Sequence, residues 1–252
     1  MLQANDIKAL KGKSPIVMIT AYDACFARMA EAAQVDMILV GDSVANVVLG
    51  FSTTRDVGME EMLMFVSATR RGAPDTHIVA DMPWRSDVEP EIALKNAQRF
   101  VLAGANSVKI EGACIKVVRH LRQAGIEVVG HLGLLPQTAT SFRQHGQSAD
   151  EAEKLLQDAI ELEQAGVCAL VLEHIPERLG AHISQGLQHV PTIGIGAGNL
   201  VDGQVLVLHD ALGLHPFKLP PFAHKFVDLY AQGVMGLEAY AESVRKKKEN
   251  YF

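Results

Sequence analysis

The sequence has few cysteines, and their spacing argues against a disulfide framework. Only Cys25, Cys114 and Cys168 occur among 252 residues, and no two of them form a CxxC pair. An odd number of widely separated cysteines is typical of reduced thiols that serve as small packing residues. The chain must therefore be stabilised by an apolar core, and we expect it to be cytoplasmic.

Long apolar runs and an excess of basic residues are also absent. No apolar run approaches the length of a membrane-spanning helix, and residues 1–6 lack the charged and apolar regions of a signal peptide. The formal net charge of -6 gives no electrostatic reason to expect nucleic acid or an anionic membrane as a partner. With 48% hydrophobic residues, the chain can bury a large core. These properties predict an enzyme-like domain that binds small molecules.

Short apolar runs alternate with longer amphipathic segments along most of the chain, which predicts parallel strands connected by helices. The predicted strands are Ile16–Thr20, Met37–Gly41, His77–Asp81, Ser107–Glu111, Val128–His131, Ala169–Glu173, Thr192–Ile195 and Val205–His209. The predicted helices are Ala24–Ala33, Met59–Arg70, Glu89–Ala103, Lys116–Ala124, Ala149–Ala165 and Arg178–Gln188.

Eight strands with interleaved helices and no linker favour the α/β class and one closed (β/α)8 TIM barrel, with a doubly wound open sheet as the alternative. The pattern changes after Gly213, at a proline-rich segment. We therefore expect a single domain over residues 1–252, of which 214–252 form a C-terminal helical extension.

Four of the predicted strands are followed or ended by an acid: Asp42, Asp81, Glu111 and Glu173. Carboxyl ends of parallel strands meet at one edge of a sheet, where α/β proteins place their sites. The first three acids belong to neighbouring strands, so their oxygens can meet at one hard divalent cation, for which Mg²⁺ is the best fit. The alternative for each acid is an N-cap of the following helix.

Three further side chains are candidates because of their position on the strands. Lys109 lies two residues before Glu111, so strand alternation points both into the barrel, where the lysine is either a buried ion-pair partner or a charge for a substrate anion. Glu173 can serve as a general base or as a salt-bridge partner, for example of Lys109. His131 ends the fifth strand as a possible supporting residue, whereas His174 should point away from Glu173.

The chain also resembles ketopantoate hydroxymethyltransferases in eight ordered blocks between about Ser14 and Gly213. The residues that carry the resemblance are Ile19-Thr20-Ala21-Tyr22-Asp23, Val40-Gly41-Asp42-Ser43, Ala80-Asp81-Met82-Pro83, Val108-Lys109-Ile110-Glu111-Gly112, Gly130-His131-Leu132-Gly133-Leu134 with Pro136-Gln137, Leu172-Glu173, Ile193-Gly194-Ile195-Gly196-Ala197-Gly198, and Asp202-Gly203-Gln204 with His209-Asp210.

The resemblance implies an enzyme of pantothenate biosynthesis that transfers a hydroxymethyl group from 5,10-methylenetetrahydrofolate to 3-methyl-2-oxobutanoate, giving 2-dehydropantoate and tetrahydrofolate. It implies one Mg²⁺ per subunit, the folate as co-substrate, and a homo-oligomer that is typically a decamer. By position, the metal ligands are Asp42, Asp81 and Glu111, the keto-acid contacts are Asp42, Ser43, Asp81 and Lys109, and the proton acceptor is Glu173. The expected route is an enolate of the keto acid that Mg²⁺ stabilises.

Two segments depart from the family pattern. The tract from Thr138 to Ser148 is short and lacks the Lys-x-Gln-Gly-Arg ending, and Leu49–Thr54 lacks the usual His-Asp. Loops after barrel strands form the mouth of the site, so these departures bear on folate handling, while the metal and keto-acid residues remain.

Three other functions stay open at this point. A lyase of the isocitrate lyase and phosphoenolpyruvate mutase type would share the acids and use no folate, but its catalytic cysteine loop is not found in the sequence. A catalytically silent barrel used for assembly or binding is the second, and a folate-binding module, which would leave the acids without a task, is the third.

Overall fold

The computed structural model describes residues 1–249, with side chains through residue 246. Within that part, eight parallel strands close into a barrel in chain order, and β1 pairs with β8. The strands are β1 (Ile16–Thr20), β2 (Met37–Val40), β3 (His77–Asp81), β4 (Ser107–Glu111), β5 (Glu127–Gly133), β6 (Ala169–Glu173), β7 (Thr192–Ile195) and β8 (Gly203–Leu206). The predicted closed barrel is confirmed, and the open doubly wound sheet is wrong.

Helices connect most of the strands, as the alternating pattern predicts. They are α1 (Ala4–Ala9), α2 (Ala24–Ala32), α3 (Val44–Val47), α4 (Met59–Gly72), α5 (Pro90–Ala103), α6 (Ile115–Gln123), α7 (Ala149–Ala165), α8 (Glu177–Gly186), α9 (Leu208–Ala211) and α10 (Leu229–Glu249), with a 3₁₀ turn at Thr54–Asp56. Within the described residues, no helix is both long and apolar enough to cross a membrane.

Local signals explain where several helices begin and end. The Asp23 carboxylate accepts hydrogen bonds from the amides of Cys25 and Phe26 at the start of α2, and the Ser148 hydroxyl accepts one from the Glu151 amide at the start of α7. Helix α5 ends at Gly104, which adopts φ +112°, a left-handed conformation that costs glycine little. These ends agree with the sequence-based prediction.

The eighth strand starts two residues earlier and ends three residues earlier than the predicted Val205–His209, so the prediction is wrong for residues 207–209. His209 belongs to α9. Gly203 starts the strand because it lies against β1, where an added Cβ would overlap the carbonyl oxygen of Ile16. An apolar run alone does not show where such a close approach occurs. The predicted start of the eighth strand was therefore placed too far along the chain.

The core has two layers, as a barrel requires. Side chains from alternate positions of the strands, such as Met37, Leu39, Val79 and Val129, pack together in one cluster. The intervening positions, such as Ile38, pack in a second cluster with residues of the helices. This alternation directs the polar residues that lie two positions after Val79 and Val129 toward the same interior as those valines.

The chain divides into two compact units. The first, Met1–Leu206, contains the barrel, and the second begins at Val207 and contains α9 and α10. The predicted C-terminal extension, 214–252, includes α10, and its last three residues lie outside the described residues.

Candidate active site

Polar side chains meet at the carboxyl ends of β2 to β6. Strand register sets residues of neighbouring strands beside one another in three pairs, Asp81 with Lys109, Glu111 with His131, and Gly133 with Glu173. The side chains are almost fully buried: Asp42 is 5% exposed, Asp81 2% and Lys109 4%. Charged groups so far from water need partners, and the structure provides several.

Asp81 and Lys109 form the central ion pair. Lys109 Nζ lies 2.7 Å from Asp81 Oδ1, while Asp81 Oδ2 accepts a hydrogen bond from the Asp42 amide at 3.0 Å. Burial alone lowers the pKa of Lys109, but Asp81, Glu111 and Asp42 raise it by more, so it stays above its ordinary value. The acids around it therefore favour the charged form of the lysine inside the site.

Gln137, which sequence reasoning did not assign to the site, ties the other two acids together. Its side-chain amide donates to Asp42 Oδ2 and to the Met82 carbonyl oxygen, each at 2.9 Å, and its backbone amide donates to Glu111 Oε2 at 3.2 Å. The residue comes from the loop after β5 and is far from both acids in the chain. The signal in the sequence was that Pro136-Gln137 belongs to one of the blocks that carry the family resemblance.

The site holds more acidic groups than its one lysine can neutralise if all of them ionise. Burial and the repulsion of Asp81 raise the pKa of Asp42 to about 7, against the opposing effect of Lys109. Burial also raises the pKa of Glu111 to about 9; Lys109 lowers it, whereas Asp42 and Asp81 add to the rise. Three carboxylates around one ammonium group form a site that a further cation would stabilise.

The donor atoms fit a hard divalent cation. Glu111 Oε1 is buried and accepts no hydrogen bond, and all three acids present oxygen, the ligand that Mg²⁺ prefers. Among the described residues, however, no group of three or more His, Cys, Asp and Glu side chains is already arranged around a metal position. The acids bind protein groups instead, above all Lys109 and Gln137.

Glu173 and His131 form the other side of the site. Glu173 Oε2 lies 3.1 Å from His131 Nε2, and burial raises the pKa of this carboxyl to about 7, although Lys109 and then His174 lower it. Lys109 pairs with Asp81, so Glu173 is not the partner of this lysine, and its contact is with His131 instead.

His131 connects the two halves of the site. Lys109 Nζ lies 3.1 Å from His131 Nδ1, and burial followed by the charge of Lys109 holds the histidine pKa well below its usual range. A neutral imidazole that accepts from Lys109 at Nδ1 carries its proton on Nε2, the atom that faces Glu173. The order Asp81, Lys109, His131, Glu173 thus links the acid cluster to the proposed base.

Ser43 and His174 occupy the edges of the site. Ser43 follows Asp42 in the turn before α3, and its hydroxyl oxygen lies 2.8 Å from that of Tyr22, a buried residue whose pKa burial raises. His174 adopts φ +48°, stacks on Phe142 at 4.7 Å between ring centroids, and its carbonyl oxygen accepts from the His145 amide. The short tract after β5 therefore folds back against the end of β6.

Comparisons with known proteins give a family match over nearly the whole chain. A family profile described as "Ketopantoate hydroxymethyltransferase" matches residues 1–249. The chain is 46% identical to a 3-methyl-2-oxobutanoate hydroxymethyltransferase of Thermotoga neapolitana, covering 97% of this chain and 93% of that protein. It is also 46% identical to the protein of the same name from a Geobacillus species, covering 96% and 88%.

Solved structures with similar folds have much lower sequence identity. A 2,3-dimethylmalate lyase of the PEP mutase/isocitrate lyase superfamily has a TM-score of 0.60 at 16% identity, covering 100% of this chain and 90% of the other. A phosphonopyruvate hydrolase in complex with oxalate and Mg²⁺ has a TM-score of 0.66 at 12% identity, covering 98% and 88%. At these identities the likeness shows the barrel fold alone.

Proposed function

The chain belongs to the ketopantoate hydroxymethyltransferase family, and from this premise we propose that it transfers a hydroxymethyl group from 5,10-methylenetetrahydrofolate to 3-methyl-2-oxobutanoate. The products are 2-dehydropantoate and tetrahydrofolate, in pantothenate biosynthesis. The observation that carries the proposal is Glu173, a largely buried carboxyl group whose pKa burial raises to about 7, beside a cluster of acids and the Lys109–Asp81 ion pair. A base poised near neutral pH suits proton abstraction.

The first step is removal of the proton from the carbon next to the keto group. Glu173 accepts this proton, and the neutral His131 lies beside it, with Nε2 3.1 Å from Glu173 Oε2. Lys109 supplies the positive charge that stabilises the resulting enolate in a site shielded from water. Ser43 and Asp81 complete the proposed contacts with the keto acid, and all these roles are predictions.

One Mg²⁺ per subunit would be held by Asp42, Asp81 and Glu111, and when bound it would polarise the keto group and acidify the neighbouring carbon. Gln137 would then keep Asp42 and Glu111 oriented, since it donates to both in the structure.

Water adds to the methylene of the folate in its opened iminium form, and the carbon–nitrogen bond then breaks, so that formaldehyde is released and the nitrogen leaves with a proton as tetrahydrofolate. The enolate carbon attacks the formaldehyde carbon, and a carbon–carbon bond forms as the carbon–oxygen double bond becomes single. Glu173, which holds the proton removed in the first step, is the group placed to return it to the new alkoxide oxygen, which gives the hydroxymethyl product.

Exchange of the keto-acid proton tests this function directly. In D₂O with Mg²⁺, the parent should exchange the C3 proton of 3-methyl-2-oxobutanoate, and Glu173→Gln should bind the keto acid without exchanging it. Glu153→Gln, which changes an exposed carboxylate on α7, is the matched control and should exchange normally. Normal exchange by Glu173→Gln would show that another group is the base.

The same assay separates the other functions. A lyase-type barrel would exchange the proton but release no tetrahydrofolate when methylenetetrahydrofolate is added, and a silent barrel would do neither. We also propose, from the family resemblance, a cytoplasmic homodecamer with neither nucleic acid nor membrane as a partner. Sedimentation velocity measures the number of subunits.

A further inference from the structure

A cavity of about 600 Å³ lies beside the acid cluster, among the loops that follow β3, β4 and β5. We call it the loop cavity; it is lined by residues within 84–88, 111–117 and 135–138. Glu111 and Gln137 line the loop cavity and also belong to the acid cluster, so a molecule bound there would lie next to the keto acid. The volume is typical of sites for ligands much larger than a small branched keto acid. The cavity has room for the second substrate.

Most of the lining is apolar. Val88, Ala113, Ile115, Val117 and Leu135 contribute hydrophobic surface, and Val117 is buried in the core that packs α6 against the barrel. An apolar lining with a few polar groups is the usual composition of a small-molecule site. It suits the aromatic rings of a ligand.

The charged residues of the loop cavity differ in exposure. Asp87 is half-buried, burial raises the pKa of its carboxyl, and no Lys or Arg among the described residues forms an ion pair with it. Arg85 and Lys116 are exposed. A ligand that fits this pattern has hydrogen-bond donors on the part that lies deepest and negative charge on the part that remains near water.

The loop after β3 is held in an unusual conformation at this cavity. Arg85 adopts φ +63°, in the left-handed region that side chains rarely occupy. Its guanidinium carbon lies 5.5 Å from the centre of the Trp84 ring, and that of Arg55 lies 4.9 Å from it. Arg55 also donates from Nε to the carbonyl oxygen of Gln137. Strained backbone that is held in place by neighbouring residues is common at ligand sites. Here the contacts of Arg55 with Trp84 and Gln137 connect the cavity wall to the acid cluster.

We propose that the loop cavity binds the folate donor, with the Asp87 carboxylate accepting hydrogen bonds from the amino group and ring N–H of the reduced pteridine. The apolar lining takes the aromatic rings, and Arg85 and Lys116 pair with the carboxylates of the glutamate tail. This inference rests on the proposed function, because only that reaction needs a folate beside the keto acid. It deepens the proposal by assigning the donor to residues that neither bind the metal nor abstract the proton.

The chain offers a direct reporter, because Trp84 is its only tryptophan and lines the loop cavity. Titration of the metal-free, keto-acid-free protein with tetrahydrofolate should quench tryptophan fluorescence to saturation, and equilibrium dialysis gives the same affinity independently. Asp87→Asn should weaken binding about tenfold or more, since it removes a charged hydrogen-bond acceptor. Glu89→Gln, an exposed acid two residues further along the same loop and outside the lining, is the matched control and should bind as the parent does.

A second variant protects the test against a folding defect. Ala113→Leu narrows the loop cavity without changing any charge, and circular dichroism melting shows whether each variant is folded. Weaker tetrahydrofolate binding in either folded variant, with the control unchanged, supports the assignment. Parent-like affinity in both variants overturns it.

Keto-acid proton exchange distinguishes failure of this inference from failure of the proposed function. If the parent exchanges the keto-acid proton and both cavity variants bind tetrahydrofolate as tightly as the parent, only the loop-cavity assignment is overturned. Folate binding that depends on Asp87 in a protein that exchanges no keto-acid proton supports the assignment and overturns the proposed reaction.

Discussion

Replacing Glu173 with glutamine should stabilise the metal-free protein at alkaline pH, although the same change should abolish proton exchange. The Glu173 carboxyl ordinarily ionises with a pKa of 4.5, and burial raises its pKa to about 7 in the folded protein. Its ionised form therefore opposes folding. Glutamine has nearly the same shape and does not titrate.

The magnitude follows from the difference between the two pKa values. Below pH 4.5 the carboxyl is neutral in both states and costs nothing, whereas above pH 7 it is ionised in both states and the full cost applies. Stability of the parent is thus lost as pH rises through this window. A gap of this size corresponds to about 3 kcal/mol, of which roughly 2 to 3 kcal/mol appear between about pH 5 and pH 8.

Urea unfolding at these two pH values, in EDTA and without substrate, measures the effect. The unfolding free energy of Glu173→Gln minus that of the parent should increase by that amount from pH 5 to pH 8, and Glu153→Gln should show no such increase. Groups far from Glu173 titrate equally in parent and variant, so the comparison isolates Glu173 together with its contact to His131. A difference that is independent of pH would refute the raised pKa, and with it the argument that Glu173 is poised as a base.

Other predictions concern the acid cluster and the strand that supports the base. Lys109→Met should lower the unfolding free energy by about 3 kcal/mol at neutral pH, because it leaves Asp81 buried without its ion-pair partner; urea unfolding measures this, and an unchanged midpoint would contradict it. Gly133→Ala should destabilise several times more than Gly125→Ala, which should cost about 1 kcal/mol. Both glycines have positive φ, +98° and +79°, but only at Gly133 does an added Cβ overlap a backbone oxygen of β6, so equal melting temperatures would refute the close approach. Mg²⁺ should raise the melting temperature of the parent reversibly with EDTA, and Glu111→Gln should lose most of that shift, whereas an equal shift in both would remove Glu111 from the proposed ligands.

Much of the barrel could be predicted from local pattern because strand alternation and helix ends are local properties. The bounds of β1, β3, β4, β6 and β7 agree with the prediction residue for residue. Short elements without a periodic pattern were missed, namely α1, α3, α9 and the 3₁₀ turn at Thr54–Asp56. They are too short for periodicity to be visible, and helices of this length depend on tertiary packing.

The residues of the candidate site also fall into those that the sequence predicted and one that it did not. The sequence placed Asp42, Asp81, Glu111 and Glu173 at strand ends, since side-chain direction along a strand follows from counting residues. It did not identify Gln137, whose amide joins two of these acids across the barrel mouth.

The sequence by itself determined the succession of strands along the chain, the direction of their side chains and the types of side chain available at the barrel's carboxyl end. Only the tertiary structure decided that Lys109 pairs with Asp81 and that His131 lies between Lys109 and Glu173. Closure and stagger of the barrel determine which side chains become partners, because charged residues from distant parts of the chain come into contact only when the strands are in register. Burial then sets the pKa values, since the cost of ionisation depends on the water that folding excludes.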